Sequence, residues 1–370
     1  MQIEIYNMTV LNDKLNISLE AVCDSFSSLL WDIEYYKCGE FEVYIAASSR
    51  NIEIFQTGRI VGRDDDKDHF GLIESIELET DSEDGDYLII KGRFLMCLLE
   101  RRIIYPTLNF TSQTSYGAIV QKAVESNALT SGNRLIPGLK LGEIQGACWS
   151  QTTKLQVSYE NLMEWVYTIC EKIGGTANIR LSKIDNEQYE MIFELSQGTD
   201  RSILQEINPH IIFSDRYNNL LSFTYFTDTS VKKNYAYVLG KGEGEKRKRT
   251  TYFEDSEPSS LDRYEVYVDA KEISDEEQVD NETKPLSEEE YAELLKEKGK
   301  QNIVPITMKS ESQIAVQSTQ FQYGVDYFVG DFVTVEHHRF GIRQNKIQLV
   351  GMIESFDRNG RNLTPTFKEE

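Results

Sequence analysis

The chain of 370 residues holds only four histidines, seven prolines and three tryptophans, and its five cysteines include no CxxC pair. Each scarcity removes a class of function. His69, His210, His337 and His338 show neither the HExxH nor the HxH spacing that would set ligands around one metal. On a strand, the adjacent His337 and His338 would point to opposite faces, so one is expected to be partly buried and the other exposed. Cys23, Cys38, Cys97, Cys148 and Cys170 are odd in number and far apart, which suits free buried thiols in a reducing compartment better than a disulfide framework or a zinc site. No serine stands in a G-x-S-x-G elbow, and no cysteine has a histidine in a known nucleophile order. Apolar runs reach only strand length, against the ~20 residues of a membrane-spanning helix. The start, Met1-Gln2-Ile3-Glu4-Ile5-Tyr6, lacks a basic segment followed by an apolar run, so no signal peptide is expected, and a soluble protein made in a cytoplasm is. Positive charge is scarce too: 39 Lys+Arg stand against 61 Asp+Glu, a net −22. That sign does not suit a protein whose main task is to grip nucleic acid.

What is present is mostly strand pattern. Glu42-Val43-Tyr44-Ile45 and the run Ile73 to Thr80 have the period of two of half-buried strands. The turn Ser82-Glu83-Asp84-Gly85-Asp86 separates that run from Tyr87-Leu88-Ile89-Ile90, because Asp-Gly readily supplies the positive φ of a tight hairpin. Phe94 to Leu99 reads as a helical plug, with Arg101 and Arg102 at the carboxyl end where cations suit the dipole. Beyond Pro106 the texture changes. Tyr116, Ile119, Val120, Ala123 and Val124 fall at helical spacing, as do Leu162, Trp165, Val166, Ile169, Cys170 and Ile173, and Gly174-Gly175 ends the second helix. Alternating strands at Thr176 to Lys183 and Tyr189 to Leu195, with a turn at Asp185-Asn186, complete a mixed α/β module. Strands return at Leu220 to Phe226, Tyr235 to Leu239, Tyr264 to Val268, Phe332 to Val335, Lys346 to Phe356 and Leu363 to Phe367.

Between Glu254 and Lys300 lie 17 acidic and 6 basic residues, half of the excess negative charge. Ser287 and Glu290 form a capping box there. Tyr291, Leu294 and Leu295 share one helical face, and Gly299 is the expected stop. Asp64-Asp65-Asp66 with Asp68 offers hard oxygens for calcium, but without the ligand alternation and glycine of an EF-hand, so a solvated loop is the expectation. Gly240-Lys241-Gly242-Glu243-Gly244 has no closing Lys-Ser/Thr pair and carries Glu243 and Glu245 where a phosphate would sit. The run Lys246-Arg247-Lys248-Arg249 precedes the acidic segment, so an ion-paired or solvated loop is expected. Carboxylate pairs arise by chance among 61 acids, so no catalytic, cofactor-binding or metal-binding residue is assigned and no enzyme is expected.

The order of parts resembles the phage tail hub family: the amino-terminal region of siphophage tail-associated (tail-tip) proteins and the related baseplate hubs of contractile tails. The matching pieces are Gly39 to Ile45, the hairpin Glu77 to Ile90, Gly92-Arg93 through Ile104, Gly240 to Gly244 with its basic run, Leu261-Asp262-Arg263 through Ala270, and Tyr323 to Asp331. The resemblance implies a β-rich α+β fold with two similar β-barrel-like domains, an inserted α/β domain and an acidic helical excursion. The divisions expected are a first hub domain at 1–106 and a middle domain at 107–205. A second hub domain follows at 206–253 with 301–370, and an excursion at 254–300 packs on the middle domain. It also implies a homotrimeric ring in the virion at the tail tip of a phage or prophage-derived tail, joining the sixfold tube to a threefold tip around the DNA exit channel. Implied partners are a distal tail protein, the end of the tape-measure protein, and a tip fibre, spike or lytic protein. DNA would pass only transiently, no cofactor is implied, and this chain would not insert into a membrane. Siphophage members often carry a long carboxyl-terminal extension, so receptor binding or peptidoglycan cleavage is expected to be absent or carried by another polypeptide. Acid lining the channel would let DNA slide without sticking; acid on the outer surface, serving solubility, is the alternative. The rival from another class is a carbohydrate- or cell-surface-binding adhesin module using the 20 tyrosines as stacking platforms. An enzyme with a cryptic carboxylate pair is the third reading.

Overall fold

The computed structural model describes residues 1–11, 14–81, 85–184, 188–279, 282–304, 307–314 and 320–368. Residues 82–84 and the Asp185-Asn186 turn lie outside the described residues. Strand makes up 48% and helix 19%, which is the β-rich α+β class expected. Where the sequence alternates, strands form and bury the apolar partner of each pair. Glu40–Ala46 turns Phe41, Val43 and Ile45 inward, and Thr176–Lys183 turns Ala177, Ile179 and Leu181 inward.

Thirteen strands join in one sheet. Its order runs Leu220–Asp228, Thr307–Ile314, Gly360–Lys368, Ile342–Asp357, Ser28–Glu34, Glu40–Ala46, Gly85–Phe94, Asp66–Asp81, Ile60–Arg63, Ile3–Leu11 and Lys14–Cys23. Phe332–His337 also pairs with Ile342–Asp357, and Ile212–Ser214 lies parallel to it. Amino- and carboxyl-terminal strands meet where Gly351 to Phe356 runs antiparallel to Leu29 to Glu34, with Glu354 opposite Trp31. Both sides feed one core, in which Ile5, Trp31, Val43 and Phe94 pack with Phe213, Val333, Leu349 and Phe367. The barrel-like closure expected of each half is absent among the described residues; the sheet stays open. The physical reason is the length of Ile342–Asp357. It pairs with Phe332–His337 over its first part and extends the ladder to Ser28–Glu34 over its second.

The apolar plug contains a shorter helix than its sequence suggests, Cys97–Glu100, but Leu95 to Leu99 are all buried. They fill a second core with Tyr6, Ile17 and Leu72 on one side and the middle module on the other. Tyr116–Val124 and Leu162–Ile173 are that module's α-helices. Asn161 Oδ1 caps the second, accepting from the amides of Met163 (3.1 Å) and Glu164 (3.3 Å), and Gly174 ends it at φ +73°. One short helix, Ser49–Ile54, buries no residue, so no apolar period announces it.

A third, smaller core forms where Tyr235–Leu239 pairs with Arg249–Tyr252 and Glu265–Asp269 under the helix Glu288–Gln301. This sheet runs across the boundary expected at 253/254. The capping box forms as the sequence predicts: the Glu290 amide donates to Ser287 Oγ (3.2 Å) and the Ser287 amide to Glu290 Oε2 (3.0 Å). Gly299 does not stop the helix, which continues to Gln301. A Cβ at Gly299 would lie 2.7 Å from Val238 Cγ2 and 2.9 Å from Tyr252 Cβ, so the glycine serves close helix-to-sheet approach. The helix reaches the middle module through Lys172–Glu297 (2.7 Å) and Lys298–Glu160 (3.3 Å). Among the described residues no helix is long and apolar enough to cross a membrane.

Candidate functional site

The densest charge chemistry in the fold lies where the two sets of strands join, and it absorbs the acidic loop. Arg63 ends its strand 2% exposed. Its guanidinium takes Asp65 through two bonds (2.9 and 3.0 Å) and Glu354 through Nη1 (3.0 Å) and Nη2 (3.4 Å). Glu354, itself 2% exposed, also accepts from Arg361. The Arg63 guanidinium carbon lies 4.8 Å from the Phe356 ring centroid and 5.6 Å from that of Trp31. Arg63 and Glu354 thus satisfy each other in a site too dry for either alone, and Asp65 and Arg361 complete the network from its wetter edge.

Asp66 continues the network. Its Oδ2 accepts from Trp31 Nε1 (3.0 Å) and faces His69 Nδ1 (2.9 Å), while Oδ1 accepts from the amides of Asp68 (3.0 Å) and His69 (3.1 Å). Burial alone would raise its pKa, but His69, the Asp68 amide and Arg63 together hold it well below the usual carboxylate range. Burial pushes His69 down, and the charge of Asp66 outweighs it, so His69 titrates above its ordinary value. Asp64 accepts from the amide of Gln2 (2.7 Å). Asp64, Asp65 and Asp66 are therefore engaged by protein donors, and the described residues contain no His/Cys/Asp/Glu group arranged to hold a metal ion.

The other singled-out motifs resolve into packing and ion pairs. In the glycine-rich run the Lys241 amide donates to Tyr291 Oη (2.9 Å), so it faces a helix rather than a ligand. Arg247 pairs with Asp269 and donates to the carbonyls of Gly240 and Leu239, both at 2.7 Å; Lys248 pairs with Glu288 (2.7 Å). His210 Nε2 lies 2.7 Å from the Gln205 carbonyl. His337 is half-buried, 3.5 Å from Asp215 Oδ2, and His338 is exposed beside Arg216. The five cysteines are free, and all but Cys38 are buried. A cleft of about 450 Å³ between the sheet and the middle module is lined by Asp68, His69, Arg180 and Glu194 among others, with Arg180 and Glu194 paired at 2.7 Å.

Two surface features remain that sequence reasoning did not single out. Asp32 faces Glu34 and Glu40; burial, then those two charges, push its carboxyl up to about 6. At the ends of the sheet, Lys14–Cys23 and Leu220–Asp228 each have a single strand partner among the described residues. Val10 (56% exposed), Leu19 (45%) and Val22 (39%) stand at the first end and Leu221 (66%) at the other. Polar-to-apolar alternation marks such strands as half-buried, but only the pairing order shows which of them end the sheet.

Residues 3–367 match the family model for Siphovirus ReqiPepy6 Gp37-like protein. Among solved structures, the chain is similar to the tail protein from Neisseria meningitidis MC58, with 14% identity and a TM-score of 0.58 over 100% of this chain and 97% of that one. It is similar to the prophage MuSo2 43 kDa tail protein from Shewanella oneidensis at 11% identity and a TM-score of 0.58, covering 99% and 98% of the two chains. The prophage tail protein gp18 from Listeria monocytogenes EGD-e gives 10% identity and a TM-score of 0.53, covering 100% and 95%. At these identities the likeness establishes a shared fold. No curated protein matches the chain by sequence.

Proposed function

The chain belongs to the Siphovirus ReqiPepy6 Gp37-like protein family, and from that premise we propose that this structural phage tail protein is the hub subunit of the tail tip. Three copies form a ring that joins the sixfold tail tube and distal tail protein above to a threefold tip below, around the DNA exit channel. Each subunit gives the ring two β-rich lobes, one from the strands between Ile3 and Phe94 and one from those between Ile212 and Lys368. The end of the tape-measure protein contacts it from within, and a tip fibre, spike or lytic protein contacts it from below. The chain works by assembly rather than by turnover, in a virion built in the host cytoplasm.

The open sheet is the observation that supports a ring. Strand edges with unused backbone donors and acceptors seldom stay bare, and here both terminal strands expose apolar side chains beside them. A subunit with one such edge at each end is suited to a closed cyclic assembly. Light scattering at micromolar concentration should give three times the 42.6 kDa subunit mass. Charges at both ends, Leu19→Lys with Leu221→Lys, should lower that mass while leaving the thermal midpoint in place, since both positions are exposed. A 42.6 kDa species alone, persisting when the distal tail protein is added, would refute the ring.

A further inference from the structure

In a chain with a large excess of acid, most arginines find a carboxylate. Arg63, Arg93, Arg180 and Arg201 each hold one at 2.9 Å or less. Arg101, Arg102 and Arg134 are among those that form no ion pair among the described residues, and they are held together by shared carbonyls. Arg102 donates to the carbonyls of Arg134 (2.8 Å), Arg101 (2.9 Å) and Leu135 (3.4 Å). Arg134 donates to the carbonyls of Tyr105 (2.6 Å) and Ile103. The nearest acids in sequence face elsewhere, Glu100 to Arg93 (2.7 Å) and Glu160 to Lys298 (3.3 Å). Burial, and then the charges of Arg134 and Arg101, lower the pKa of Arg102. Among the described residues the charge of Glu100 reaches Arg101, but Glu100 bonds Arg93, so the three guanidinium groups lie together without an ion pair of their own.

An aromatic surface adjoins them. Tyr105 is 56% exposed, Tyr159 70% and Ile103 53%. The two rings lie 6.0 Å apart, and the carbonyls of Tyr105 and Ile103 are the ones Arg134 holds. Tyr159 sits at φ +58°, a left-handed conformation that tyrosine adopts only at a cost glycine would avoid. Packing does not require the ring there, because the side chain is mostly in water. Arginine and tyrosine are the residues enriched at the centres of protein interfaces.

We propose that Arg101, Arg102, Arg134, Tyr105 and Tyr159 form a docking site for an acidic segment of a partner protein. Its carboxylates pair with guanidinium groups that form no ion pair among the described residues, and its apolar atoms cover Ile103 and the two rings. A protein segment fits better than nucleic acid. Three cations answer only a few carboxylates, and the exposed Ile103, Tyr105 and Tyr159 beside them offer the apolar contact that a protein side chain takes up. The proposal does not depend on the number of subunits in the ring.

The test uses a fluorescent oligoglutamate peptide and the full chain at low ionic strength, read by anisotropy. Saturable binding is expected, weakening as salt is raised. Arg101→Glu, whose side chain donates no hydrogen bond within the described fold, should lower affinity about tenfold, a typical loss for an interface anchor. Tyr159→Gly should lower it similarly while leaving the thermal midpoint equal or higher, since glycine relieves the positive φ. Arg50→Glu, exposed on a separate helix, should change nothing. Absence of saturable binding, or equal losses in Arg50→Glu and Arg101→Glu, overturns the proposal. So does tighter binding of a single-stranded oligonucleotide of matched charge through the same residues, which would make this a nucleic-acid site.

Discussion

Replacing Glu354 by glutamine asks whether the buried network holds the two strand sets together. Glu354 points inward opposite Trp31 and receives Arg63 and Arg361. The amide keeps the shape and loses the charge. Removing one member of a buried ion pair costs about 3–5 kcal/mol, because its partner is left charged in a poorly solvated place. Here Arg63 keeps Asp65, and Arg361 is 27% exposed and can turn toward water. The lower end, about 3 kcal/mol, is therefore expected, a large part of the ~5–15 kcal/mol that holds a domain folded. Urea unfolding followed by tryptophan emission reads the change, with the slope m checking that unfolding stays cooperative. The double variant Arg63→Met with Glu354→Leu removes both buried charges. Asp65, 40% exposed, returns to solvent, so the double should cost less than either single change. A loss under about 1 kcal/mol for Glu354→Gln, or a double variant equal to the sum of the singles, would refute the coupling.

Two further outcomes follow from other sites. Asp32 has an ordinary pKa of 3.8, raised in the fold to about 6. The folded state therefore binds its proton more tightly than the unfolded chain, so its contribution is full below pH 3.8 and is lost as pH rises through about 6. Asp32→Asn should leave stability unchanged at acid pH and raise it by about 1 kcal/mol at pH 8. That figure is discounted for solvent screening from the ~1.4 kcal/mol per pKa unit of a fully shielded group. Equal effects of the substitution at both pH values, measured by thermal melting, would contradict this. Gly299→Ala sets a helix-propensity gain of about 1 kcal/mol against an overpacking cost of about 1–3 kcal/mol. With Val238 and Tyr252 under 3 Å from the new Cβ, the cost should win. Hydrogen exchange of the Glu288–Gln301 amides should then speed up about tenfold relative to the parent, and slower exchange would show that the sheet can yield.

What the sequence made legible follows the range over which each feature is determined. The helix Leu162–Ile173 has its apolar stripe, its Asn161 cap and its Gly174 stop within a dozen residues or so, and strands such as Thr176–Lys183 carry their own alternation. The capping box at Ser287 and Glu290 is equally local. Gly299 misled because a glycine that ends a helix and one that lets a helix touch a sheet are the same letter; only Val238, 61 positions earlier, tells them apart. Arg101 and Arg102 stand where the sequence puts them, at the carboxyl end of the plug, with Arg101 as the cap. Cations after an apolar run suit a helix end, but that local rule says nothing of the Arg134 and Leu135 carbonyls that Arg102 takes from 32 and 33 residues away. Glu354 was the least readable: at an inward position of a strand it looks like a mistake until Arg63, 291 residues away, is set beside it. The same distance hid the open sheet. Alternation says that Ser28–Glu34 and Ile342–Asp357 are strands, while their pairing rests on a register decided by contacts between opposite ends of the chain. Local period settles what each segment becomes; long-range charge and register settle what it joins, and a protein that acts by joining keeps most of its function in the second kind of information.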